Sequence, residues 1–367
     1  MQKLLIATFV VLVVGLSSCT PPPTTTLDTS FFIPVDQSRL FVRMVGNKAA
    51  PLLVYLHGGP GGFAGFMHES FRQNLEKAYL LVYLDQRGCG KSDAATDTSL
   101  LTMEQYVEDL DAVVDTLSGR FPGRKINFIG GSWGGTYGLL YLIAHPHKIN
   151  AFVCFSGMAD ALYERKTLLT YLEGKLDSAL AKAANDSLKQ HLLNLQQRVQ
   201  HIAQSDFSHY YLDVNWLKHT LPKELGINLY WHNKAALKAA EQMGTDSALF
   251  DRVQYTQAAF DSALQKGELV NQVFRNTPAY NRLNLTPEMA RIQSPVCVLQ
   301  GAEDHVVGPG HAAIIYNALT GLSPEEKALH ILPNAAHNLN MEAPEAFFGY
   351  AQAFLARYNA TPSGEQP

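Results

Sequence analysis

Residues Lys125–Gly138 read KINFIGGSWGGTYG, and no other stretch constrains the fold of this chain so tightly. Ile126-Asn127-Phe128-Ile129 is an apolar, β-branched run that reads as a strand. Gly130-Gly131-Ser132-Trp133-Gly134 then turns the chain, and Tyr137–Ile143 reads as a helix. A strand, a G-x-S-x-G turn and a helix form the context of a nucleophile elbow. Positions two before and two after the serine crowd the backbone, so both must be glycine. Such a turn lifts the Ser132 hydroxyl out at the end of a sheet, above a helix N-terminus.

The rest of the chain extends this unit into a layered α/β domain. Ser38–Gly46 alternates as a half-buried strand. Pro51–Leu56, Tyr79–Leu84 and Ile149–Phe155 are continuous apolar runs, the pattern of strands buried on both faces. Leu101–Leu117 has helical spacing. Strands alternating with helices give a mostly parallel sheet. The pattern changes over 158–293, where helical periodicity appears in Leu168–Leu180, Leu188–Ile202 and Ala235–Phe250, with aromatics at Tyr210, Tyr211, Trp216, Tyr230 and Trp231. This segment reads as a helical cap inserted between two parts of a core, 30–157 and 294–358. Ser294–Gly301 and Leu329–Leu332 resume the strands, Gly310–Leu319 and Pro344–Tyr358 suit helices, and 359–367 reads as a loose tail.

The N-terminus has its own character. Lys3, the apolar run Leu4–Leu16 and then Leu16-Ser17-Ser18-Cys19 resemble a bacterial lipoprotein signal and lipobox over residues 1–19. That resemblance implies export, cleavage before Cys19 and acylation of Cys19, so that the membrane is reached through the lipid anchor only. Residues 20–29, opening TPPPTTT, read as an extended Pro/Thr spacer. Cys89, Cys154 and Cys297 read as free thiols, because three leftover cysteines complete no disulfide framework and show no zinc spacing. A net charge of −4 gives no case for nucleic acid binding. Gly90-Lys91-Ser92 mimics the end of a P-loop, but Asp85 stands where that loop needs its first glycine.

A serine hydroxyl needs a base within reach and an acid to orient that base. The chain order Ser, Asp, His is met by Ser132, Asp304 after the Pro295–Leu299 strand, and His337 after the Leu329–Leu332 strand. All three fall where loops leave the carboxyl edge of a parallel sheet. Glu303 is the alternative acid, and His305 and His311 are alternative bases. The oxyanion requires two donors. The Trp133 amide is one, and the His57-Gly58-Gly59-Pro60-Gly61 loop supplies the other, from Gly59 or else Gly58. This chemistry calls for no metal and no cofactor.

Together, HGGPGG (57–62), DQRGCGKS (85–92), GGSWGG (130–135), GAEDHVV (301–307) and AAHNLNMEAPEAF (335–347) resemble the proline iminopeptidase family of serine α/β-hydrolases. The resemblance implies an α/β-hydrolase fold with a helical cap. It also implies release of an N-terminal residue, often proline, from small-molecule or short-peptide substrates. The family holds the substrate amine with cap glutamates. The cap carboxylates here include Glu164, Glu173, Asp177, Glu224 and Glu241, while Trp231 is followed by His232 and Asn233. A carboxylesterase or amidase could use the same triad, and a non-catalytic binding protein could keep the same fold. The oligomeric state is left open.

Overall fold

A computed structural model describes residues 26–205, 210–243 and 247–359. The proposed lipoprotein signal, Cys19, most of the spacer and nearly all of the tail lie outside the described residues. Eight strands form one sheet in the order β1-β2-β4-β3-β5-β6-β7-β8. They are β1 (Thr26–Val35), β2 (Ser38–Asn47), β3 (Leu52–Leu56), β4 (Leu80–Leu84), β5 (Ile126–Gly131), β6 (Ala151–Phe155), β7 (Val296–Gly301) and β8 (Lys327–Leu332). β1 and β2 are antiparallel additions at one edge, and β3 to β8 run parallel.

The parallel strands are apolar throughout because both faces are covered. Alternate side chains separate into two cores. Leu52, Val54 and Leu56 face one core with Tyr106, Leu110, Tyr137 and Leu139. Leu53 and Tyr55 face the other with Phe71, Phe347, Phe354 and Leu355. The covering helices are α1 (His68–Asn74), α2 (Met103–Arg120), α3 (Trp133–Ala144), α12 (His311–Ala318), α13 (Leu339–Glu342) and α14 (Pro344–Asn359).

Between β6 and β7 stand α4 (Ala161–Leu180), α5 (Asp186–Ala203), α6 (Tyr210–Asn215), α7 (Leu221–Glu224), α8 (Lys234–Met243), α9 (Ser247–Arg252), α10 (Gln257–Arg275) and α11 (Pro278–Asn281). Leu168, Leu172, Leu176, Val199 and Phe274 from this segment share a single core with β3, β5 and α3. The segment is therefore packed onto the sheet layer rather than tethered beside it.

Two local readings need correction. The spacer does not run to residue 29: Thr26–Thr29 already belong to β1, where Asp28 accepts two hydrogen bonds from Arg43 (3.0 and 2.8 Å). The 19-residue α10, which the periodicity did not single out, is a further cap element. Among the described residues no helix is long and apolar enough to cross a membrane. Cys89, Cys154 and Cys297 are buried and free.

Candidate active site

The elbow is built from the close approach of β5, α3 and the end of β3. A Cβ on Gly134 would collide with the Leu56 carbonyl, and one on Gly130 with the Gly134 carbonyl. Ser132 itself sits at φ 54°, ψ −124°, a conformation that costs an L-residue about 1–3 kcal/mol. Packing of the flanking strand and helix holds it there. Trp133 opens α3, so its N–H is among the helix-end donors without an intrahelical acceptor.

The loop after β3 lies against the serine. A Cβ on Gly58 would reach 3.2 Å from Ser132 Cβ. Gly59 lines the same cavity as Ser132 and Trp133. This loop is braced by the DQRGCGKS segment. Gln86 donates from Nε2 to the His57 carbonyl (2.9 Å), and its backbone N–H donates to His57 Nε2 (3.1 Å). Trp133 Nε1 donates to Gln86 Oε1 (2.9 Å). Asp85 accepts from the backbone of Ala64 and Lys91, both at 2.8 Å. The segment that mimics a P-loop therefore anchors neighbouring loops.

Asp304 and His337 meet after β7 and β8. His337 Nδ1 lies 3.1 and 3.0 Å from the two carboxylate oxygens of Asp304. A carboxylate only accepts, so Nδ1 carries a proton, and in the neutral ring Nε2 is the acceptor. Asp304 is fully buried and also accepts from the Val306 (3.0 Å) and Val307 (3.3 Å) amides. Burial works against its ionisation, but His337 and the Val307 N–H outweigh burial and hold its carboxyl below the usual range. Ser156, after β6, donates from Oγ to the His337 carbonyl (3.0 Å) and fixes that loop. Sequence reasoning missed this serine, because nothing but its place after a strand marks it.

The alternatives have other partners. Glu303 lies 3.7 Å from His305, and the His305 ring stacks on Tyr171. His311 accepts from the Asp160 amide at Nε2 (3.0 Å) and engages the Val307 carbonyl at Nδ1.

Ser132, His337, Gly59 and Trp133 line one cavity of about 300 Å³ beneath the cap. Of the five cap acids named from the sequence, only Glu164 enters it. Asp177 accepts from Gln196, Glu224 pairs with His191, and Glu241 lines a neighbouring cleft. Glu164 is ion-paired with Lys218, and both side chains are buried. Burial opposes the Glu164 charge, but Lys218 and Arg275 outweigh it and hold its carboxyl below the usual range. Burial also pushes the Lys218 ammonium down, against the pull of Glu164.

Lys218 and Arg275 carried no recognisable signal in the sequence. Lys218 lies on a π-helical turn, Trp216–Thr220, between α6 and α7. Pro222 accounts for the widened turn: in an α-helix its ring would clash with the carbonyl four residues back, that of Lys218. Arg275 ends α10 and resembles an ordinary basic residue at a helix C-terminus. Tyr230 crosses the His337 ring edge-on (5.6 Å, 87°) and also lines the cavity, with Tyr280.

Comparison with known proteins adds the family context. The model of a family described as alpha/beta hydrolase fold matches residues 51–344. A proline iminopeptidase of Lactobacillus helveticus is 30% identical over 149 residues, 39% of this chain and 49% of that protein. A proline iminopeptidase of Saccharolobus solfataricus is 28% identical over 162 residues, covering 40% and 51%. The chain thus spans about half the length of these relatives. Among solved structures, a proline iminopeptidase of Mycobacterium smegmatis superimposes with a TM-score of 0.57 at 17% identity, over 90% of this chain and 99% of that one. A proline iminopeptidase-related protein of Thermus thermophilus gives 0.56 at 23% identity, over 90% and 98%. The superpositions carry the fold, and the sequence match carries the similarity to proline iminopeptidases.

Proposed function

The chain belongs to the alpha/beta hydrolase fold family, and from that premise we propose that it is a serine hydrolase that cleaves small esters or amides through an acyl-enzyme. Ser132 attacks the substrate carbonyl. His337 Nε2 takes the hydroxyl proton and passes it to the leaving group, while Asp304 orients the ring and stabilises its cation. The amides of Trp133 and Gly59 receive the oxyanion. Water then attacks the acyl-enzyme, giving the free acid and restoring Ser132. The observation that carries this reading is the hydrogen bond of His337 Nδ1 to buried Asp304, beside a cavity shared with Ser132 in an elbow conformation.

The matched relatives support a peptide amide as the bond cleaved, with release of an N-terminal residue such as proline. In that reading the substrate ammonium pairs with Glu164, the carboxylate of the cavity. A carboxylesterase or amidase acting on a substrate without a free amine is favoured by one observation: Glu164 is already paired with Lys218. The signal-like N-terminus supports export and anchoring through an acylated Cys19.

The test is turnover of prolyl- and alanyl-naphthylamide beside a short-chain p-nitrophenyl ester, with fluorophosphonate labelling of the folded protein. Turnover and labelling lost in Ser132→Ala are expected. Folded protein that neither labels nor turns over any of these would overturn the reading.

A further inference from the structure

The lining of the cavity over Ser132 holds two cations and one carboxylate, an unfavourable set for binding an amine. Its charged lining outside the proposed triad consists of Glu164, Lys218 and Arg275 among the described residues. However the proton is shared between Glu164 and Lys218, that pair sums to zero. Arg275 is a permanent cation, and among the described residues no carboxylate of the lining is hydrogen-bonded to it. Asp304 does not line the cavity: its negative charge is felt by Lys218 from behind His337, but it supplies no carboxylate for Arg275 to bind.

Arg275 is also poorly satisfied. Its side-chain hydrogen bond runs from Nε to Asn271 Oδ1 (3.0 Å), and its two terminal nitrogens have no hydrogen-bond partner among the described residues. The hydroxyls of Tyr230 and Tyr280, which line the same cavity, have no acceptor among the described residues either. A half-buried guanidinium that lies over the Tyr280 ring (5.5 Å to its centre) with its fork unfilled, beside two idle hydroxyls, is a donor set suited to a carboxylate. A second ammonium placed here would meet Arg275 and Lys218 with their carboxylate already taken, which is costly in a water-poor chamber.

A second, apolar chamber of about 390 Å³ is lined by Phe63, Trp231, Phe250, Phe260 and Met341, and Asn338 lines both chambers. Asn338 is the neighbour of His337, and a substrate laid across both chambers would put a charged end at Arg275 and an apolar end in the second chamber.

Resting on the hydrolase reading above, we propose that the substrate is an ester or amide whose acyl chain bears a carboxylate, held by Arg275, and whose leaving group is apolar. Hydrolysis consumes one water and yields a dicarboxylic acid and an apolar alcohol or amine.

The test compares glutaryl-p-nitroanilide, its neutral isostere pentanoyl-p-nitroanilide and prolyl-p-nitroanilide on the full chain, with fluorophosphonate labelling of Ser132 in parallel. The glutaryl compound is expected to lead the other two by at least about tenfold in kcat/KM. Arg275→Gln should lower its kcat/KM about a hundredfold while changing the pentanoyl value far less, and Arg275→Lys should recover part of the loss. The wild-type comparison stands even if Arg275→Gln fails to fold. Equal turnover of the glutaryl and pentanoyl compounds, preference for the prolyl one, or labelling without glutaryl cleavage would each overturn the proposal and leave the hydrolase reading intact. Absence of both labelling and turnover would instead overturn the hydrolase reading itself.

Discussion

Gly267 of the cap helix α10 meets Gly61 of the loop after β3 backbone to backbone. A Cβ on Gly267 would collide with the Gly61 carbonyl oxygen, and a Cβ on Gly61, at φ 99°, would collide with the Gly267 carbonyl. Asn271, one turn further along α10, donates to the Pro60 carbonyl (2.7 Å). The cap therefore rests directly on the loop that carries Gly59, the proposed oxyanion donor.

Gly267→Ala sets two effects against each other. Alanine favours a helix interior by about 1 kcal/mol. Overpacking costs about 1–3 kcal/mol, and here the obstacle is backbone that cannot rotate away. The clash should win, with a net loss of about 1 kcal/mol in urea unfolding. Displacing Gly59 should also lower turnover of a good substrate about a hundredfold. A more stable, fully active variant would show that the two backbones separate freely.

Asp304→Asn keeps the shape of the site but can fix the wrong histidine tautomer. The new amide can donate to Nδ1, which moves the imidazole proton to Nε2, the atom that should accept from Ser132. Turnover should fall by about 10⁴ with the fold kept. A fall of only a few-fold, read against Ser132→Ala, would mean that Asp304 is not the orienting acid.

Lys218 and Glu164 form a buried pair, so losing one partner should be worse than losing both. Lys218→Met and Glu164→Gln should each cost about 3 kcal/mol, because each strands a buried charge. The double variant should cost clearly less than their sum. Additive losses in a double-mutant cycle by denaturant unfolding would mean that the two are not coupled.

Glu69 links cap to core through Arg252 (3.0 Å), and also binds Arg72 on its own helix. Its carboxyl is brought down from 4.5 to about 2, chiefly by the Arg72 hydrogen bond against some burial. A depressed acid stabilises the fold above its unfolded pKa and loses that contribution as pH falls through its folded pKa. Wild type should therefore exceed Glu69→Gln by about 1 kcal/mol near neutral pH, after allowing for solvent screening. The gap should close between pH 4.5 and about 2. A gap unchanged across that window would rule out the carboxylate as its source.

The sequence determined the sheet and the elbow. Strands buried on both faces must be apolar at every position, as Leu52–Leu56 and Leu80–Leu84 are, and the elbow leaves room only for glycine at 130 and 134. These are local constraints and can be read locally. The order Ser132, Asp304, His337 could also be read, because each residue follows a recognisable strand. The cap was different. The π-helical turn that carries Lys218, the entry of Arg275 into the cavity and that of Glu164 alone among the cap acids singled out were decided by tertiary structure. A charged residue on a helix has the same sequence appearance whether it faces water or a buried partner 54 positions away, as Glu164 faces Lys218. Local motifs carry the proposed hydrolytic chemistry, but the cluster proposed to select the substrate exists only where α4, α10 and the Trp216–Thr220 turn converge.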